Sequence, residues 1–316
     1  MSQSYRISNE GLLNRNKEIS FKFNGTKYTG YEGDTLASAL LANGIHLVGR
    51  SFKYHRPRGF FGAGVDEPNA KLQILFNGHS EPNVNATESE LVEGIEATSQ
   101  NCWPSVKFDV GAITNFLSKF FPAGFYYKTF KWPKSFWHKV YEPFIRKAAG
   151  FGIASLEKDK ERYEHKYEYC DLLVTGSGPA GLSSAYAAAK NGAKVILAED
   201  KPRFGGSLLT DDVTIDNLSG KAWTDKIITQ LKEMPNVIVK NRSQVFGYYD
   251  HNMTVMIEKT GDHLKDKPKY VPRQRLWYIR AKEVILSTGS IERPIVFGNN
   301  DTPGVFLSAA AKEYIK

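Results

Sequence analysis

The sequence predicts an α/β chain that opens with an α+β domain, and three stretches carry that prediction. Residues 170–190, CDLLVTGSGPAGLSSAYAAAK, read as a buried strand, a glycine turn and an alanine-rich helix. A second apolar run, KVILA at 194–198, ends in Glu199-Asp200, 23 positions after Gly176. Well upstream, ISFKF at 19–23 alternates apolar and polar residues, as a half-buried strand does, and is followed by Asn24-Gly25.

The first stretch carries chemistry. Gly176, Gly178 and Gly181 form G-x-G-x-x-G between a strand and a helix. Gly176 permits the sharp turn, Gly178 lets backbone approach a diphosphate, and Gly181 lets the helix pack close. The helix N-terminus offers free N–H groups and a positive dipole end to that diphosphate. Glu199 or Asp200 then stands where an acid accepts hydrogen bonds from an adenosine ribose. These features predict a dinucleotide site on a Rossmann-like domain, and the motif serves NAD and FAD alike. Downstream, Gly205 and Gly206 let a loop pass over ribose or diphosphate, with the Ser207 hydroxyl as a phosphate ligand. Lys221 to Met234 reads as an amphipathic helix, and NVIVK at 236–240 as a further strand. Residues 244–259 and 275–281 alternate as a β-meander around a charged loop at 261–272. EVILSTGSIERP at 283–294 then reads as a separate buried strand, whose Thr288-Gly289 end forms a loop on the cofactor side.

In the N-terminal domain, 26–31 returns as the second strand of a hairpin. Asp34 or Thr35 caps a helix, LASALLAN at 36–43, that Gly44 stops, and KLQILF at 71–76 is another strand. Residues 1–17 are polar and read as an arm lying on another surface. The chain has 316 residues, 41% hydrophobic and 24% charged, with net charge +8. That length suggests about two domains. The basic residues are dispersed and no zinc-finger or RNP-type pattern occurs, which speaks against nucleic acid. Cys102 and Cys170 have no metal-ligand spacing and fit a reducing compartment. The first residues lack an apolar signal, and no stretch is long enough to span a bilayer, so the expectation is a soluble, cytoplasmic protein without membrane partners.

Hairpin, helix and further strand resemble the β-grasp core of plant-type ferredoxins. The loop after the helix lacks the Cys-x4-Cys-x2-Cys that holds a cluster there, so no iron is expected. His46, His55 and His79 fit no metal spacing. Arg50, Lys53, Arg56 and Arg58, interleaved with Phe52, Tyr54 and Phe60, form either an anion or subunit contact or a solvated basic loop. Residues 116–144 carry Phe116, Phe120, Phe121, Phe125, Tyr126, Tyr127, Phe130, Trp132, Phe136, Trp137, Tyr141 and Phe144. Prolines at 104, 122, 133 and 143 chop the longer connection from Asn101 onward, which contains these rings, into short helices and turns. Its aromatics need cover, from the neighbouring domains or from a partner chain. The expected organisation is a β-grasp domain at 1–105, an aromatic connection at 106–166 and a dinucleotide domain at 167–316, incomplete at its C-terminus.

With these motifs in view, residues 170–304 resemble the FAD/NAD(P)-binding fold of the disulfide-oxidoreductase class. The whole chain is similar to the N-terminal part of the α subunits of heterotetrameric sarcosine oxidases. The marks are GRSFKYHRPR at 49–58, SQNCWP at 99–104, AGFYYK at 123–128 and RPIVFGNNDTPGV at 293–305. The resemblance implies a complex that demethylates sarcosine oxidatively to glycine and hydrogen peroxide, passing the one-carbon unit to tetrahydrofolate. It implies NAD on this chain and FAD and FMN on the β subunit or its interface. The folate domain is expected beyond the present residues, and smaller subunits complete the heterotetramer. The chain reads as a fragment. Carried over by position, Gly176, Gly178, Pro179, Ala180 and Gly181 meet the phosphates. Glu199, Asp200 and Lys201 surround the ribose with Ser207 nearby, and the Val245 backbone meets adenine. The resemblance implies no catalytic residue and no metal ligand on this chain. Two other readings stand beside it: an FAD-binding subunit of a flavin-dependent opine or amino-acid dehydrogenase, and a non-catalytic scaffold.

Overall fold

The computed structural model describes residues 3–8, 11–120, 124 and 130–316. They divide into two compact units, Met1–Asp159 together with Glu292–Lys316, and Lys160–Ile291. The tail therefore groups with the first unit rather than with the dinucleotide domain. The second unit begins seven residues earlier than the boundary expected at 167.

In the first unit, strands β1 (Asn14–Phe23) and β2 (Thr26–Glu32) form the expected hairpin, paired Phe23 to Thr26 at its end. Asn24 and Gly25 both take positive φ, 48° and 80°, as a tight two-residue turn with the right strand twist requires. Strand β1 starts well before the alternating run, so the supposed arm is shorter than expected. Its outer part packs on its own unit: Arg6 Nη2 lies 2.7 Å from buried Asp34 Oδ2, and Tyr5 N donates to Ala42 O. The helix Leu36–Ala42 is capped by Thr35, which accepts from Ser38 N while Ser38 Oγ accepts from Thr35 N. Asp34, the other candidate cap, answers Arg6 and the Tyr31 N–H instead.

A two-residue ladder of β3 (Gly49–Arg50) and β4 (Pro57–Arg58) follows in the long loop. Then come β5 (Lys71–Phe76), β6 (His79–Asn85) and β7 (Glu96–Ser99). The sheet order is β2-β1-β7-β5-β6, with β1 and β7 parallel in the middle. This is the β-grasp arrangement, closed over Phe21, Leu36, Leu40 and Leu72. Sequence reading missed β6 and β7 because HSEPNVN and EATS are polar or short and carry no apolar alternation.

The cysteine-free loop is organised by a carboxylate. Glu67, 1% exposed, accepts from the backbone N–H groups of Phe61, Gly62, Asn69 and Ala70 at 2.6 to 3.0 Å. Those donors turn inward onto an internal anion, in a loop where ferredoxins wrap a thiolate-held cluster. The residues present do not suit a cluster. The loop has no cysteine, Cys102 and Cys170 lie in different units, and among the described residues no acid, histidine and cysteine group could hold a metal. The basic loop also departs from both expectations. Arg56 and Arg58 bind Asp301, and Arg50 donates to Val106 O, so these cations serve the unit itself. Two of the motifs marking the family resemblance, at 49–58 and 293–305, thus meet through an ion-paired clasp.

Between β7 and the second unit run short turns of helix, including Ile113–Phe116, Trp137–Tyr141 and Glu142–Ala148. Phe116 is 87% and Trp132 80% exposed, and Phe120 and Phe144 are exposed as well, so these rings lack the cover that their chemistry calls for. Phe121, Phe125, Tyr126, Tyr127 and most of the 123–128 motif lie outside the described residues. No helix among the described residues is long and apolar enough to cross a membrane.

The second unit begins with β8 (Tyr163–Thr175), then the helix Pro179–Lys190 and β9 (Val195–Ala198). A two-residue ladder of β10 (Thr214–Ile215) and β11 (Leu218–Ser219) precedes the helix Gly220–Glu233, capped by Ser219. Strands β12 (Val237–Lys240), β13 (Ser243–Tyr249), β14 (Met253–Lys259) and β15 (Gln274–Leu286) complete a sheet of order β12-β9-β8-β15-β14-β13. The first four in that order are parallel and the last two are the antiparallel meander. The expected strands at 275–281 and 283–286 are one strand, because β15 stays in register with β8 from Gln274–Tyr163 to Leu286–Thr175.

Removing the Glu67 carboxylate would strand four backbone donors, of which those of Gly62 and Ala70 are buried. Glu67→Ala is expected to lower stability by about 3 kcal/mol or more, and Glu67→Gln, which keeps one acceptor oxygen, by clearly less. Denaturant midpoints of the two variants and the wild type check this order.

Candidate dinucleotide site

The site grows from the C-terminal ends of the parallel strands. At the end of β8 the chain turns at Gly176, whose φ is +93°. A Cβ there would sit 2.3 Å from Ser287 O, so only glycine fits against the loop that leaves β15. Gly178 caps the helix with no side-chain bond, and space beyond its Cα is open. The first intrahelical bond runs from Leu182 N to Gly178 O, which leaves the N–H groups of Ala180 and Gly181 without intrahelical acceptors. Pro179 has no N–H to orphan and suits the first helical turn. Pro179 and Ala180 are exposed, as a phosphate-facing turn requires. A Cβ on Gly181 would lie 1.9 Å from Gly176 O, so the third glycine lets the helix close on its own turn.

Glu199 is buried and Asp200 exposed. Glu199 Oε2 accepts from Ser177 N at 2.8 Å and Ser177 Oγ at 2.5 Å, and Oε1 accepts from Lys201 N at 3.0 Å. Burial, together with a hydrogen bond that the protonated Glu199 carboxyl donates to Asp200, pushes the Glu199 carboxyl up to about 7, against the pull of Ser177 and Lys201. Of the two acids, the buried one is thus held by backbone at the strand end, while the exposed one leans on it.

The other expected residues fall into two groups. Gly206 closes on the turn, because a Cβ there would lie 3.1 Å from Gly178 Cα. Ser207 follows it, exposed, in the short helix Gly206–Leu209. Thr288 and Gly289 extend from Ser287, whose Oγ donates to Thr175 O at 2.7 Å. These loops converge on the glycine turn. Val245 instead lies on β13, the edge strand, half-buried against the core of Leu173 and Ile196 and beside a bulge. Sequence reasoning passed over Ser177 and Ser287, which tie the loops together. Their signal was their place inside G-x-G and just before Thr-Gly. The open space at Gly178 and the uncapped helix end suit a diphosphate, so the residues present fit a dinucleotide. Glu292, grouped in the sequence with the Ser-Thr-Gly loop, instead caps the final helix, Ser308–Ile315, accepting from Ser308 N and Ala309 N.

Two family models match: a 2Fe-2S iron-sulfur cluster binding domain over residues 16–102, and an FAD dependent oxidoreductase over 171–244. The chain is 51% identical over 312 residues to the sarcosine oxidase subunit alpha of Rhizobium meliloti, covering 99% of this chain and 32% of that protein. Over nearly its whole length the chain is similar to sarcosine oxidase α subunits. The corresponding subunit of Corynebacterium sp. strain U-96 is 31% identical, over 96% of this chain and 27% of its own length. The chain therefore spans about a third of the length of these curated relatives. A solved L-proline dehydrogenase from P. horikoshii matches 95% of this chain and 46% of its own, with TM-score 0.60 and 22% identity, which speaks for the fold. This similarity agrees with the resemblance drawn from the motifs, and the first family model lies on a β-grasp unit without cysteine ligands for its cluster.

The raised Glu199 carboxyl has a pH consequence. A protonated acid is favoured in the fold, so its contribution is fully present below about pH 4.5 and is lost as pH rises through about 7. Glu258, Glu168 and Asp301, all lowered, act in the acid range instead. Relative to Glu199→Gln, the dinucleotide-free wild type is expected to lose stability, on the order of 3 kcal/mol at full ionisation, as pH rises from about 5 to about 8. Melting temperatures of both proteins across that range check the sign. Parallel curves would contradict it.

Proposed function

We propose that this chain is the dinucleotide-holding part of the α subunit of a sarcosine oxidase complex. The observation that carries the reading is the 51% identity, over 99% of this chain, to a sarcosine oxidase α subunit, joined to a glycine turn, helix terminus and strand-end acid that suit an adenine dinucleotide. The reaction of the complex removes two electrons from the N-methyl C–H and N–H of sarcosine. Dioxygen takes them up as hydrogen peroxide, the one-carbon unit passes to tetrahydrofolate, and glycine remains. No residue of this chain is assigned to that oxidation.

The dinucleotide proposed here is NAD. Gly176, Gly178, Pro179, Ala180 and Gly181 would face the diphosphate, with Ser207 beside them. Glu199, Asp200 and Lys201 would meet the adenosine ribose, Val245 the adenine, and Thr288 and Gly289 would lie alongside the cofactor. FAD and FMN belong, in this reading, to the β subunit and its interface, and folate to the region of the α subunit beyond these residues. The exposed aromatics around Phe116, Trp132 and Phe144 are the surface expected to meet a partner subunit. A second reading places FAD in this same site, and the FAD dependent oxidoreductase model over 171–244 favours it.

Cofactor released by heat from the purified chain separates the two readings, since FAD is yellow and NAD absorbs only in the ultraviolet. If NAD is released, NADP is expected to bind at least roughly tenfold more weakly, because Glu199 and Asp200 repel a 2′-phosphate. Peroxide release from sarcosine is expected only when this chain is joined by the rest of the subunit and the flavin-bearing partner. Sarcosine-dependent peroxide from the chain alone would sink the assignment.

A further inference from the structure

We propose that Ser177, between the first two glycines of the turn, is a positioning residue of the dinucleotide site. Its buried hydroxyl joins the acid that meets the adenosine ribose to the loop at Gly205 and Gly206. This rests on the reading of the site as one for an adenine dinucleotide.

Ser177 is wholly buried, and its hydroxyl makes two bonds of opposite sense. Its hydrogen goes to Glu199 Oε2 at 2.5 Å, and its oxygen accepts from Gly205 N at 3.1 Å. A hydroxyl has one hydrogen, so with that hydrogen on Glu199 its lone pairs must face the Gly205 N–H. The direction of both bonds is therefore set. The Ser177 N–H donates to the same Oε2 at 2.8 Å, which fills both lone-pair directions of that oxygen. Oε1 carries one backbone donor, from Lys201, and is the oxygen left to accept a ribose hydroxyl.

Asp200 also hydrogen-bonds the Glu199 side chain, but it is exposed and water can take it up when a ribose arrives. At its other end the hydroxyl holds Gly205, which has φ +124°, and Gly206 next to it packs against Gly178, where the turn lies open. The hydroxyl thus joins the Ser177 N–H in saturating Oε2, which leaves Oε1 to be offered, and it also holds the neighbouring loop. Alanine would suit the turn equally well. It would leave the Gly205 N–H without an acceptor and the carboxylate held only by the backbone N–H groups of residues 177 and 201.

The test uses the full chain freed of bound dinucleotide, with ADP and 2′-deoxy-ADP as probes titrated by calorimetry. Both probes present the shared adenosine diphosphate, so the result does not depend on which dinucleotide is native. Wild type is expected to prefer ADP. Ser177→Ala is expected to weaken ADP about tenfold and 2′-deoxy-ADP less than twofold, so that the preference collapses. Ser177→Cys, which keeps a donor at the γ position but a weaker and larger one, should fall between and decides the matter if the alanine variant does not fold. Equal loss for both probes, no loss, or a wild type indifferent to the 2′-hydroxyl each overturns the role of Ser177 while the dinucleotide reading stands. A wild type that binds neither probe overturns both.

Discussion

A carboxylate taken out of water must be answered by donors, and each unit of this protein is built around one that is. An ion of this kind costs several kcal/mol to bury unless hydrogen bonds satisfy it. Backbone N–H groups can satisfy it only when their loop holds one conformation. Glu67 draws four of them together in the β-grasp loop, and Glu199 draws two N–H groups and a hydroxyl together at the strand ends. In the first unit this device stands in for an iron–sulfur cluster as the loop's anion. In the second it prepares the place where a ribose is expected.

Closeness of backbone does the rest. The register between β8 and β15 runs the whole length of both strands, so the two chains leave the sheet side by side. Ser287 then lies against Gly176, and the two glycines at 176 and 181 supply the absent Cβ atoms that this approach needs. A side chain at either would push the β15 loop or the helix away. The open helix terminus would then lose the loop that stands beside it.

Legibility followed periodicity and local chemistry. The Asn24-Gly25 hairpin, the Thr35 cap, β5, β9, β12 and both helices of the dinucleotide unit could be read within a residue or two, since each depends on contacts within its own segment. Strands β6 and β7 could not, because their place is set by neighbours in the sheet and not by their own polar residues. The meander was visible, but the fusion of 275–281 with 283–286 was not, since continuity depends on a partner strand more than a hundred positions away. The basic loop misled for the same reason: Asp301, which answers Arg56 and Arg58, is some 240 residues distant.

By itself the sequence determined the class of fold, the glycine turn, the acid at the strand end and the absence of cluster cysteines, all of which are matters of local spacing or residue type. Only the tertiary structure decided which acid is buried, that Ser177 and Ser287 bind the loops into one site, and that Glu67 holds the cysteine-free loop. It also decided that the segment after Glu292 groups with the β-grasp unit. The physical reason is common to all of these. A hydrogen bond or a missing Cβ acquires its meaning from the atom opposite, and in a folded chain that atom is seldom near in sequence.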